Sequence, residues 1–154
     1  RQYRLEVIEQ AGKHRIETKG KNKLRLYVTP NTTTDNRLLV LNEWYRQQLK
    51  LKLAELLHYW TPLIKRTPKS CDIKKMKTKW GSCNIEAQRI WINLELAKKP
   101  PECLEYILVH ELVHLLERHH NDKFRAYMNT FLPNWREHQR LLNKLPLAYE
   151  DWQY

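Results

Sequence analysis

The sequence has 154 residues, 42% of them hydrophobic, six tryptophans and a formal net charge of +11. That length suits a single domain with its own core, and that composition excludes a disordered chain. No apolar run approaches the roughly 18 to 20 residues of a membrane-spanning helix, so no membrane partner is expected.

The chain opens Arg1-Gln2-Tyr3-Arg4-Leu5-Glu6-Val7, without a methionine and already in strand-like alternation, which points to a segment upstream of Arg1. Residues 3–8, 14–19 and 23–29 each alternate as half-buried strands do, with Gly12 and Gly20-Lys21-Asn22 as turn material between them. They predict an antiparallel β-meander over about residues 1–34. Pro30 and the polar run Asn31 to Asn36 end it and supply several N-cap candidates. From Arg37 to about Tyr59, Leu38, Leu41, Tyr45, Leu49, Leu53 and Leu57 recur at three- and four-residue steps, so a long helix is predicted over about 35–61, with Pro62 at its end.

After a connector at 63–70, residues 72–79 read as a strand that ends at Trp80-Gly81-Ser82-Cys83. A polar turn at 84–88 leads to a second strand, Arg89-Ile90-Trp91-Ile92-Asn93-Leu94, and the two are expected to pair as a hairpin. The basic charge belongs to this first half. Residues 1–79 hold 19 Lys and Arg against 7 Asp and Glu, whereas residues 80–154 hold 9 against 10. Such asymmetry suits non-specific association with nucleic acid or another anion through the N-terminal half, and equally a solvated surface on a basic protein. The three cysteines, Cys71, Cys83 and Cys103, are odd in number and lack C-x-x-C spacing, which fits a reducing compartment and a cytoplasmic protein.

Pro100 and Pro101 then open a helix expected to run to about Arg118, with Glu102 and Glu105 where they favour its dipole. Within it stands His110-Glu111-Leu112-Val113-His114. On a helix, residues i and i+4 are only roughly 40° apart, so both imidazoles leave one face and can share one metal ion, while Glu111 beside them can take a proton from water. Two nitrogen ligands, an open coordination position and a carboxylate are what zinc-assisted hydrolysis requires. A pair of satisfied core histidines is the plain alternative. Burying His110, Glu111 and His114 in a nearly continuous aliphatic run without a use for them would cost several kcal/mol.

A catalytic zinc takes a third protein ligand. His120 follows His114 by six residues and lies beside Asn121-Asp122, which can cap a further helix, so it is expected in a short loop that turns back. His119 is the adjacent competitor, and Glu137 on a later helix is the carboxylate alternative. Metzincins use the same six-residue spacing but place a glycine where this chain has Glu117, so no assignment to that group is made. Two packing helices close the chain, one through Phe124, Tyr127, Met128 and Phe131, the other from Pro133 through Trp135, Leu141 and Leu142.

The series Met76-Lys77-x-Lys79-Trp80-Gly81-Ser82-Cys83, Ile92-Asn93-x-Glu95-Leu96, Tyr106-x-x-Val109-His110-Glu111-Leu112-x-His114-Leu115 and His120-Asn121-x-x-Phe124 resembles the YgjP-like metallopeptidase family, related to WLM and SprT-type proteases. The match is dense over about residues 70–135, and members of the family usually carry more sequence before this chain's first residue. The resemblance implies an α+β, zincin-like core: an antiparallel sheet packed on the active-site helix with additional helices, the catalytic part spanning about 70–154 of a single domain. It also implies His110, His114 and His120 as ligands of Zn2+ and Glu111 as the general base.

Trp80-Gly81-Ser82-Cys83 then has two readings. It is a rim strand at the sheet edge, with Trp80 and Ser82 against an extended substrate, or it is a tight turn in which Gly81 gives backbone freedom and Trp80 packs. Cys83 is a remote candidate for an inhibitory fourth ligand, and Tyr106, Tyr127 and Arg125 are candidates to stabilise an oxyanion. His14, His58 and His138 carry no such support. The function expected is a zinc-dependent metallopeptidase acting on a peptide or protein through a metal-activated water. Two alternatives stand beside it: a nucleotide pyrophosphatase on the same metal site, and a DNA-associated protease or nucleic-acid-binding module with a vestigial site.

Overall fold

The structure, a computed structural model, describes residues 3–144; Arg1, Gln2 and the final part of the expected catalytic core, residues 145–154, lie outside the description. It is a mixed α+β chain. Its contacts gather into two compact units, residues 1–48 and 49–154.

In the first unit β1 (Arg4–Glu9), β2 (Arg15–Lys19) and β3 (Lys23–Val28) form one sheet. It is not the expected meander. The strand order is β1-β3-β2, with β1 parallel and β2 antiparallel to β3. Burial explains the order: Leu24, Leu26, Tyr27 and Val28 of β3 are buried, while β1 and β2 alternate apolar with charged residues and leave most of their side chains in water. The apolar strand takes the centre and the charged strands the edges, where an open row of backbone groups is safest when flanked by charge. Gly20, at φ +62, closes the β2–β3 turn in a conformation that a side chain disfavours. The long helix α1 (Thr34–Ile64) begins in this unit. Thr33 caps it, its hydroxyl accepting from Asn36 N at 3.1 Å.

The later turns of α1 belong to the second unit, where Leu49, Leu53, Trp60 and Ile64 are buried. The helix outruns the expected end at Pro62, because a proline in the last turn forfeits only one hydrogen bond. It stops at Lys65, at φ 63. The second sheet consists of β4 (Ser70–Lys74), β5 (Gly81–Asn84) and β6 (Arg89–Asn93), in the order β4-β6-β5. Here β4 runs parallel and β5 antiparallel to β6, so the sheet is mixed rather than antiparallel throughout. The hairpin is β5–β6, and the expected strand over 72–79 is cut short at Lys74.

Asn93 causes the interruption. Fully buried, it donates through Nδ2 to Met76 O at 2.9 Å and Lys79 O at 2.7 Å, and its Oδ1 accepts from Glu95 N at 3.0 Å. A side chain that captures two carbonyls of one segment holds that segment as a loop, because those carbonyls are then directed at the side chain rather than at a ladder partner.

A 3-10 turn at Leu94–Lys98 leads into α2 (Pro101–Val113), which has Pro101 at its first position as expected. Ten residues of α2, Cys103 to Val113 except Glu105, are buried. The helix contacts β5 and β6 of the sheet and also α3 (Asp122–Phe131) and α4 (Trp135–Asn143). Glu105 accepts from Trp60 Nε1 at 3.0 Å, which ties α1 to the start of α2. No helix among the described residues is long and apolar enough to cross a membrane.

Candidate metal centre

α2 ends at Val113, with His114 as its C-cap, five residues before the expected end at Arg118. The chain tightens there: Leu115 N bonds Leu112 O at 3.0 Å and Leu116 N bonds Val113 O at 2.8 Å, the i to i+3 pattern of a 3-10 turn. No left-handed residue is needed in this turn, since the positive-φ residues described all lie elsewhere. That is why Glu117 can occupy a position at which a related spacing uses glycine. The loop then returns His120 to the face that carries His110 and His114.

The three Nε2 atoms converge. His114 and His110 are 3.2 Å apart, His120 and His110 3.1 Å, and His120 and His114 2.9 Å. Among the described residues this is the group of His, Cys, Asp and Glu side chains arranged to hold a metal ion, and neither His119, Glu137 nor Cys83 is part of it. The donor set fits zinc. His114 Nδ1 faces Glu117 O at 3.2 Å; with its proton on that nitrogen, Nε2 turns a lone pair toward the other two rings. Burial, reinforced by the neighbouring imidazoles, holds His110 well below the ordinary histidine range and lowers His114 to about 4. Both rings are therefore neutral near pH 7, the form that ligates. Three lone pairs directed at one point repel one another unless a cation lies between them, and three imidazoles are a donor set that suits zinc.

The first turn of α3 supports the third histidine. Asn121 caps that helix, Oδ1 accepting from Phe124 N at 3.0 Å, while its Nδ2 donates to Glu117 Oε1 at 3.0 Å. Arg125 Nη1 donates to His120 O at 2.7 Å. Phe124 is buried, and its ring lies 4.9 Å from that of His110, 4.7 Å from that of His114 and 4.9 Å from that of His120. It thus walls the cluster with one apolar side chain. Of the three oxyanion candidates, Arg125 is engaged in holding His120, Tyr127 stacks on Phe131 at 6.3 Å, and Tyr106 is fully buried, 6.0 Å from the His110 ring.

Glu111 is 2% exposed. Burial raises its carboxyl to about 8, and the Lys79 charge pulls it partly back. β5 lies directly against it: a Cβ on Gly81 would sit 2.7 Å from Ile107 Cγ2 and 3.2 Å from Glu111 Cγ. Trp80-Gly81-Ser82-Cys83 therefore enters a strand at the sheet edge, and Gly81 serves close approach to α2 rather than a turn. Gly81→Ala is expected to destabilise the protein by about 1–3 kcal/mol through overpacking. A denaturant midpoint equal to that of the wild type would remove the steric argument.

The two residues expected to meet substrate are not both placed to do so. Trp80 is fully buried, so it packs. Ser82, half-buried, alternates with Gly81 and Cys83 along the strand and so faces away from α2. Cys83 shares the Gly81 face. Burial and the Glu111 charge push its thiol up to about 12, and it lies outside the histidine cluster. Asn93 and Gly81, both quoted in the motif series, have structural roles that pattern reading did not supply: the capture of two carbonyls and the close approach to α2. Their further signal was an amide at the end of an apolar strand, and a glycine in a chain with only three.

A family model described as YgjP-like, metallopeptidase domain, matches residues 1–145. Two solved structures share the fold. The metallopeptidase zymogen abylysin of Pyrococcus abyssi is 21% identical, with a TM-score of 0.54 over 60% of this chain and 93% of its own. The metallopeptidase zymogen jannalysin of Methanocaldococcus jannaschii is 19% identical, with a TM-score of 0.52 over 59% of this chain and 93% of its own. No curated protein matches the sequence.

Proposed function

The chain belongs to the YgjP-like metallopeptidase family, and from that premise we propose that it is a zinc-dependent peptidase with His110, His114 and His120 as ligands and Glu111 as general base. The observation that carries the reading is the convergence of the three Nε2 atoms, all within 3.2 Å of one another, beside the buried Glu111. The matched family and folds are those of metallopeptidases, which favours peptide-bond hydrolysis over the nucleotide and nucleic-acid alternatives. The cytoplasmic placement rests on three free thiols.

When bound, zinc supplies a Lewis acid and makes a water molecule acidic near pH 7. The protein's own groups do the rest. Glu111 accepts a proton from the attacking water through a carboxylate oxygen and returns it to the amide nitrogen that leaves. In the metal-free chain its raised carboxyl holds a proton near neutrality; a dication held by the imidazoles and the Lys79 charge both favour the ionised base. Phe124 keeps water from one side of the ligand rings. β5, an edge strand against Glu111, offers an extended peptide a backbone to pair with, which brings the scissile bond to the carboxylate.

The test is hydrolysis of casein and a mixed peptide set by the purified chain. Cleavage is expected to stop on removal of metal by a chelator and to return with added zinc. A panel of nucleoside triphosphates runs in parallel, with diphosphate detection. Zinc-dependent nucleotide hydrolysis without peptide cleavage would overturn the peptidase reading.

A further inference from the structure

The segment that leads into β5 carries more positive charge than the effect of Lys79 on Glu111 accounts for. Between Asp72 and Glu86 there are four lysines, Lys74, Lys75, Lys77 and Lys79, and no acidic residue. Lys74 is engaged, its ammonium 3.9 Å from the centre of the Trp91 ring. Lys75, Lys77 and Lys79 are exposed and enter no ion pair among the described residues.

These lysines do not sit on a slack loop. The buried Asn93 amide holds the carbonyls of Met76 and Lys79, and Asn93 N bonds Trp80 O at 2.9 Å, so the backbone on both sides of Lys79 is pinned to β6. Two residues later Gly81 touches the catalytic helix at Ile107 and Glu111. Lys79 is thus held two residues before the point at which β5 meets Glu111, and its charge acts on that carboxyl. Exposed cations held beside a site and engaged in no ion pair raise the local concentration of anionic groups there.

Resting on the peptidase reading above, we propose that Lys79, aided by Lys77 on the same pinned loop, forms a cationic subsite for a substrate carboxylate, so that the bonds cut at this site lie beside an acidic side chain. The loop sets charge preference, and Asn93 is the positioning residue that fixes it.

The full chain, loaded with zinc, is assayed on two peptides blocked at both ends that differ only by Glu against Gln next to the cleavable bond; a third carries Gln and a free C-terminal carboxylate. The wild type is expected to favour the Glu peptide by about fivefold in kcat/KM, expressed in KM. Lys79→Ala brings that ratio to about one, and Lys79→Glu inverts it. A role of Lys79 confined to Glu111 would change kcat for every peptide alike and leave the ratio intact, which overturns the proposal. So does equal cleavage of the Glu and Gln peptides by the wild type, or preference for the free terminus over the Glu side chain.

Binding separates this proposal from the peptidase reading. Zinc-loaded Glu111→Gln protein is titrated with the same peptides, with and without Lys79→Ala. A Glu preference that Lys79→Ala removes supports the subsite even if the wild type cuts nothing, in which case only the peptidase reading falls. Binding without preference, or a Glu preference that Lys79→Ala leaves intact, overturns the subsite.

Discussion

Glu111→Gln is expected to retain zinc at the wild-type level and to lower peptide turnover about 10²- to 10⁴-fold, the usual worth of a positioned general base. The substitution keeps the shape of a side chain that is 2% exposed and that β5 covers through Gly81. It removes only the ability to accept a proton. Folding should not suffer, because burial already raises the carboxyl to about 8 and a neutral amide needs no such displacement. Metal analysis, thermal melting and single-turnover peptide hydrolysis on one preparation check all three points. Normal turnover in the zinc-loaded variant would remove Glu111 from the mechanism.

His120→Ala is expected to weaken zinc binding by more than the roughly 10- to 100-fold that losing a group merely hydrogen-bonded to a ligand costs. His120 is the member of the cluster that α2 does not supply, and it is exposed, so its loss leaves the core intact. Competition with a chromophoric chelator gives the affinity, and circular dichroism shows that the fold persists. His119→Ala and Glu137→Ala, which remove side chains outside the cluster, should leave the affinity where it was. Loss of zinc from His119→Ala with retention by His120→Ala would move the third ligand by one residue.

The parts of the protein that the sequence displayed are those specified by local periodicity. His110 and His114 share a helix face because of their spacing, and Asn121 sits where a helix needs a cap. The strands at 89–93 and 23–28 appeared as runs of β-branched, aromatic and leucine residues. What local pattern missed were pairings chosen across the chain. The most apolar strand of each sheet takes the centre, where β3 pairs in parallel with β1 and β6 with β4, and nothing within a short window says which neighbour it will choose. The strand expected over 72–79 failed for the same kind of reason: Asn93, seventeen residues after Met76, captures its carbonyls.

Given a helix, the H-E-x-x-H spacing by itself determined that two imidazoles leave one face with a carboxylate next in sequence, since at 3.6 residues per turn positions i and i+4 nearly superpose. Spacing could propose His120 but could not deliver it. Only the tertiary structure, by ending α2 at Val113, tightening the next turn and anchoring the loop through Asn121 and Arg125, brings His120 within 3.2 Å of both partners. The same holds for the lysine loop. Four lysines among strand-like residues read as a solvated face, and the action of Lys79 on Glu111 arises because Asn93 holds the Lys79 carbonyl and Gly81 lies against the helix.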